Sequence, residues 1–204
     1  MKYFLDGLLL GIAYVAPIGV QNLFVINSAI VENRLRALIT ALIVIFFDIT
    51  LALACFWGVG TLLEQSFVLR MGVYLIGGIA VTKIGSDLIH SEEIVGVLEK
   101  REHLTIPKTI LSACLVTWFN PQALIDGSLL LGAYRASLEV PYALLFIAGV
   151  CVASITWFSG LSTVIGTVKH QLNEKILLII NRGSGIVIVF YGMRLIYSFL
   201  KNTF

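Results

Sequence analysis

The chain has 204 residues, 58% hydrophobic and only 13% charged, with a formal net charge of +2 and a mean hydropathy of +0.96. An ordinary soluble domain is roughly 45–50% apolar and ~25% charged, so this composition cannot wet a globular surface. It excludes a soluble enzyme, a nucleic-acid binder and a disordered chain, and implies an all-α polytopic membrane protein embedded in a lipid bilayer.

A helix that crosses the hydrocarbon core needs about 20 predominantly apolar residues. Six segments reach that length: 4–30, 37–62, 68–88, 109–131, 142–168 and 176–200. An even number of crossings places both termini on one side of the bilayer. The first segment stays apolar well past Pro17 and has no small-residue cleavage site, so it is expected to remain a span and not to be removed as a signal peptide. Within it, Pro17-Ile18-Gly19-Val20-Gln21-Asn22 lies close to the middle. Proline removes a backbone donor and Gly19 adds flexibility, so the helix is expected to kink or unwind here. Gln21 and Asn22 supply amides in the next turn, either to satisfy the break or to hold a ligand. Gly7 and Gly11 form a Gly-x-x-x-Gly pair suited to close helix contact, within the chain or across a homodimer.

The second segment carries Asp48 near its centre. On insertion scales an aspartate there costs at least ~2.5–3.5 kcal/mol, so it should face a partner or a polar cavity, where it can titrate or bind a cation. After the third segment, a polar stretch rich in Glu, Lys and Arg divides the chain. Residues 1–90 form a first three-helix repeat and 109–204 a second, joined by a cytoplasmic linker at 91–108, all within one transmembrane domain, 1–204.

The fourth segment repeats the theme of the first, with Asn120-Pro121-Gln122 near its centre and Asp126 a turn later. Gln122 and Asp126, four apart, share one helix face. The fifth contains Trp157-Phe158 away from the interfacial belts that tryptophan favours. The sixth repeats the third: Gly78-Ile79, Gly85 and Leu88-Ile89 recur as Gly185-Ile186, Gly192 and Leu195-Ile196 at a constant offset of 107, while Pro17 and Asn22 answer Pro121 and Asp126 at an offset of 104. Three spans per half would make the halves inverted repeats, an arrangement whose substrate site lies at the midplane beside interrupted helices.

Basic residues set the orientation. One set of span ends collects Arg34, Arg36, Lys83, Lys100, Arg101, Lys108, Lys169, Lys175 and Arg182; the other collects Lys2, Arg70, Arg135, Arg194 and Lys201. The larger set should face the cytoplasm, leaving both termini outside. Cys55, Cys114 and Cys151 show no paired spacing, no His-Glu-x-x-His motif or phosphate loop occurs, and no cofactor, metal or nucleic acid is expected. A membrane-embedded enzyme would need a nucleophile–base pair that the sequence does not display.

These residues make the sequence similar to the LysE/ArgO family of bacterial amino-acid exporters. The resemblance runs almost end to end. It rests on Ala16-Pro17-Ile18-Gly19-Val20-Gln21-Asn22 with Phe24-Val25, on Thr117-Trp118-Phe119-Asn120-Pro121 with Asp126, on Asp48, on Trp157-Phe158 with Gly160, and on Ile179-Ile180-Asn181 entering the last span. The family typically has Gly-Pro where this chain has Gly19-Val20, and often His where it has Gln122, which removes a titratable group beside the implied site. The resemblance implies secondary active efflux of amino acids, typically lysine or arginine, driven by membrane potential or proton exchange, across the bacterial inner membrane; another small amino acid or metabolite is the alternative substrate. It points to Pro17, Gln21, Asn22, Asp48, Asn120, Pro121, Gln122, Asp126, Trp157 and Asn181 as substrate- or proton-binding residues.

Overall fold

The computed structural model describes residues 1–58, 66–89, 105–120, 123–124, 127–132, 134–135, 138–169 and 174–203, and among these there is no strand. In chain order the helices are α1 (Lys2–Val15), α2 (Val20–Val31), α3 (Arg34–Phe56), α4 (Phe67–Ile89), α5 (Ile106–Trp118), a π-helical turn (Ser128–Gly132), α6 (Val140–Val168) and α7 (Glu174–Thr203).

Local chemistry sets several of these boundaries. Asn33 caps α3, its side chain accepting from the Arg36 N–H at 2.9 Å. Proline falls in the first turn of both α5 and α6, where its missing N–H leaves no hydrogen bond unmade. The helix α3 stops at Phe56, and Gly58 follows at φ 101°. A left-handed turn suits glycine, and residues 59–62 of the expected second span lie outside the described residues. Of the linker expected at 91–108, only Thr105 to Lys108 lie within the described residues, and Ile106 already begins α5.

Both proline-bearing spans are interrupted. Between α1 and α2 the axis bends by 77°, far beyond an ordinary proline kink. The fourth span is not one helix: α5 ends at Trp118 after 13 residues, about 20 Å at ~1.5 Å per residue, too short for a core of about 30 Å. Among the described residues, α3, α4 and α6 are long and apolar enough to cross a membrane, and the bent α1–α2 pair passes the same test when its two helices are taken together, as a broken span or a re-entrant loop. Outward side chains such as Leu42, Phe46, Leu144, Val164 and Phe190 are well exposed, as lipid-facing positions should be. The protein is a multi-pass, all-helical membrane protein.

Two seams built on glycine organise the packing. The first joins α1 to α6, running parallel. A Cβ on Gly7 would overlap the carbonyl oxygen of Phe146, and one on Gly11 would lie 2.7 Å from the Ala153 Cβ. The Gly-x-x-x-Gly pair is thus engaged within the chain. The second joins α4 to α7, running antiparallel: Gly78 packs against Gly192 and Ile196, and Gly85 against Gly185 and Val189. Between the seams, α3 crosses α6 and α5, and the central core gathers Val20, Phe24, Val44, Ile45, Val81, Val116, Phe158 and Ile188.

Candidate functional site

The break in the first span opens onto a cavity of about 120 Å³. It is lined by Tyr14, Val15, Pro17, Ile18, Gly19, Val20, Gln21, Asn22, Asp48, Asn120 and Ala123. A proline and a glycine within three residues prevent one continuous ladder here, and the freed backbone groups need partners. Asn22 supplies them. Its Nδ2 donates to the Val15 carbonyl at 3.0 Å and the Pro17 carbonyl at 2.8 Å. Its Oδ1 accepts from the Trp157 indole N–H at 2.8 Å. Asn22 is 4% exposed and its amide is fully engaged, so of the two roles open to it, the structure shows the structural one.

Asp48 also lines the cavity and is 1% exposed. Gln21 Nε2 donates to its Oδ1 at 3.2 Å, and the Ser154 hydroxyl donates to its Oδ2 at 2.7 Å. Gln21 Nε2 also reaches Thr117 Oγ1 at 3.1 Å, so one amide ties α2 to α3 and α5. Ser154 is the midpoint of α6, which puts the carboxylate at the centre of a crossing. An ionised carboxylate offers about four acceptor positions; two are taken by Gln21 and Ser154, and the group faces the cavity. Gly19 begins α2 and no side chain caps that helix N-terminus. The first N–H groups of a helix have no intrahelical partner and carry its positive dipole end. The cavity therefore has a donor edge of backbone N–H groups and a buried carboxyl group in its lining.

Of the residues singled out from the sequence, Pro17, Gln21, Asn22, Asp48 and Asn120 line the cavity, and Trp157 braces it through Asn22. Asn181 lies near the start of α7. Pro121, Gln122 and Asp126 lie outside the described residues. Three contributors are not evident from the sequence: Ser154, Thr117 and Tyr14, whose hydroxyl donates to the Ala123 carbonyl at 3.4 Å. Small hydroxyl residues in apolar helices give only a weak signal. Behind the site, the Trp118 indole donates to Thr50 Oγ1 at 3.2 Å, fixing the end of α5 against α3. Among the described residues no cluster of His, Cys, Asp and Glu could hold a metal.

The LysE type translocator profile matches residues 12–199. The arginine exporter protein ArgO of Enterobacter sp. (strain 638) is 31% identical over 96% of this chain and 93% of its own length. The ArgO proteins of Escherichia coli (strain K12) and Pectobacterium carotovorum subsp. carotovorum (strain PC1) are each 31% identical, over 95% and 90% of this chain and 93% and 91% of their own lengths. These relatives are named as exporters and not as enzymes. No solved structure matches the chain. With a family match from the first span into the last and relatives aligned nearly end to end, the chain belongs to the LysE-type translocator family.

Proposed function

We propose that this protein is a secondary exporter of arginine, or of an amino acid of like charge, in the bacterial inner membrane. The observation that carries the proposal is the buried Asp48 carboxylate at the middle of a crossing, on the wall of a cavity made by a broken helix; relatives named arginine exporters supply the substrate class. The N-terminus of α2 suits the substrate's α-carboxylate, and Asp48 suits its α-ammonium or guanidinium. Gln21 and Ser154 hold the carboxylate in place. Asn120, Pro121, Gln122, Asp126 and Asn181 complete the site from the second half of the chain.

The cavity volume describes one stage of the cycle. An engineered cavity of about 150 Å³ holds a benzene ring, whereas arginine has about twelve non-hydrogen atoms. A site of about 120 Å³ therefore encloses the charged head of the substrate and must widen to pass the rest. The two halves, 1–90 and 109–204, are the bodies that move, as inverted three-helix repeats making six crossings. Reciprocal glycine contacts support this arrangement. Exchanging each residue for its counterpart 107 away turns the Gly78–Gly192 contact into Gly185–Gly85, which is also present. The Gly7 and Gly11 seam is internal, so a homodimer would need another face. The excess of basic residues puts the linker in the cytoplasm and both termini outside.

Outward movement of a univalent cation against an inside-negative potential costs ~2.3 kcal/mol per 100 mV. Exchange for a proton removes that cost, with Asp48 holding either the cation or the proton. The test is to feed dipeptides of single amino acids to cells with and without the protein. Arginine accumulating only in cells that lack it supports the proposal; no amino acid doing so refutes it.

A further inference from the structure

The antiparallel helices α3 and α6 are in register over a stretch that leads away from the site. Asp48 on α3 meets Ser154 on α6 at 2.7 Å. Eight residues further along α3, and eight residues back along α6, the Phe56 and Phe146 rings stack with centroids 5.8 Å apart and planes 15° apart. Ala52 and Val150, at the intermediate step, are buried in the same cluster as the two rings. Residues four apart share a helix face, so one face of each helix runs from the carboxyl group to the phenyl pair, about 12 Å at ~1.5 Å per residue. Tyr14 packs against this cluster and also lines the cavity. Cavity and phenyl pair are therefore neighbours, and a ligand leaving Asp48 towards the end of α3 runs into the two rings.

The rings are covered by a short segment that belongs to neither helix. Tyr134 stacks on Phe146 at 4.7 Å and 12°. The next residue, Arg135, lays its guanidinium over Trp57, 4.7 Å from the ring centroid, and Trp57 packs edge-on to Phe56 at 5.5 Å. Tyr134 and Arg135 thus grip the two ends of the row Trp57–Phe56–Phe146. The two phenylalanines are buried, whereas Trp57 is 53% exposed, so the row has an inner side towards the site and an outer side at the end of the bundle. The gripping segment follows the π-helical turn, whose Leu131 is buried in the same cluster; π-helical geometry is rare and recurs at functional sites. Arg135 holds loosely. Its Nη1 donates to the Leu138 carbonyl at 3.1 Å, and its Nε is buried with no partner. A guanidinium resting on an aromatic ring with a donor unmade is a weaker fastening than one paired with a carboxylate, which suits a closure that must release.

We propose that Phe56 and Phe146 are the gate that closes the transport path at this end of the molecule, and that the Trp57–Arg135 contact is the latch that parts in each cycle. The proposal rests on Asp48 as the site of export. With the orientation that the basic residues favour, α3 ends on the outer side, so this is the gate through which the amino acid leaves. Phe146 gives its backbone to the seam with Gly7 and its ring to the gate. Retreat of the end of α3, or rotation of the Phe146 ring, therefore opens the path without breaking the seam.

A thiol placed behind the rings reports on the gate. Ala52→Cys on α3 and Val150→Cys on α6 each put one between Asp48 and the phenyl pair, and the second cannot overpack because cysteine is smaller than valine. Right-side-out vesicles bearing either variant are treated from outside with an impermeant cationic methanethiosulfonate, and labelling at that position is located by peptide fragmentation. Arginine inside the vesicles should speed labelling about tenfold, because turnover populates the open gate. Adding Arg135→Gln, which loses the cation over Trp57, should speed it by a similar factor without arginine, and adding Arg135→Lys, which keeps a cation there, should not. Exchange of internal for external arginine is read in the same vesicles. Labelling that Arg135→Gln leaves unchanged overturns the latch. Labelling that arginine leaves unchanged while exchange is intact overturns the gate, and export stands in both cases. Absence of arginine exchange by the wild-type protein would instead remove the export proposal, and this one with it.

Discussion

Asp48→Asn isolates charge from shape at the centre of the site. Asparagine has the same outline as aspartate and can keep both hydrogen bonds. Its Oδ1 accepts from Gln21 Nε2, now at 3.2 Å. Its Nδ2 then faces the Ser154 hydroxyl, now at 2.7 Å, and a hydroxyl can accept where it previously donated. The variant should insert and fold at wild-type levels, with thermal stability in detergent unchanged or raised, since a buried charge has gone. What is lost is the counter-charge for a cation at the bilayer midplane. An uncompensated charge there costs at least ~2.5–3.5 kcal/mol, and ~1.4 kcal/mol is tenfold in rate, so cation export should fall about 100-fold. The assay is initial efflux of radiolabelled arginine from loaded cells, normalised to protein in the membrane. Export above about one tenth of the wild-type rate, from normally inserted protein, would show that Asp48 serves packing and not transport.

Four further outcomes follow from the same structure. Trp157→Phe leaves the Asn22 Oδ1 buried without its donor and should cost about 1–3 kcal/mol, read as a lower thermal midpoint in detergent with slower export. Gly77→Ala places a Cβ on the Phe119 carbonyl beside the interruption of the fourth span, and should cost about 1–3 kcal/mol by overpacking. Gly160→Ala meets nothing within 4 Å and should be neutral or stabilising by up to about 1 kcal/mol on helix propensity. Burial holds the Lys169 ammonium below its ordinary value of 10.5. Just under that pH the unfolded chain binds more protons than the native one, so Lys169 makes stability rise with pH there. Comparing pH–stability curves of wild type and Lys169→Met checks this: the rise should be smaller in the variant.

How far the site was legible depends on whether its chemistry is local. The interruptions of the first and fourth spans follow from Pro17 and Asn120-Pro121 themselves, because a proline in a helix removes a hydrogen bond wherever it sits. The 77° bend does not follow, since it is set by α6 and α3 packing on either side. Asp48 announces itself by its cost in an apolar helix, but Ser154 does not. A serine in a membrane helix ordinarily bonds its own backbone, as Thr156 and Thr163 do. Only the antiparallel crossing of α3 and α6 puts Ser154 against the carboxylate. The Gly7 and Gly11 pair is readable as a close contact, yet its partner could be found only from the fold.

The identity of the group that satisfies the break decides the polarity of the cavity. A broken helix exposes carbonyls on its first half and N–H groups on its second. Asn22 reaches back with its amide to the carbonyls of Val15 and Pro17, while no side chain caps the start of α2. The Val15 and Pro17 carbonyls are satisfied, while the start of α2 has no side-chain cap. Had a serine or aspartate at the cap taken the N–H groups instead, the break would present carbonyls, and a cavity that already holds Asp48 would be negative throughout. With Asn22 in place, the uncapped start of α2 and the Asp48 carboxyl group line one small space. In the proposed exporter that arrangement orients the substrate's carboxylate and ammonium, and it depends on the Trp157 indole N–H holding the Asn22 amide at the break.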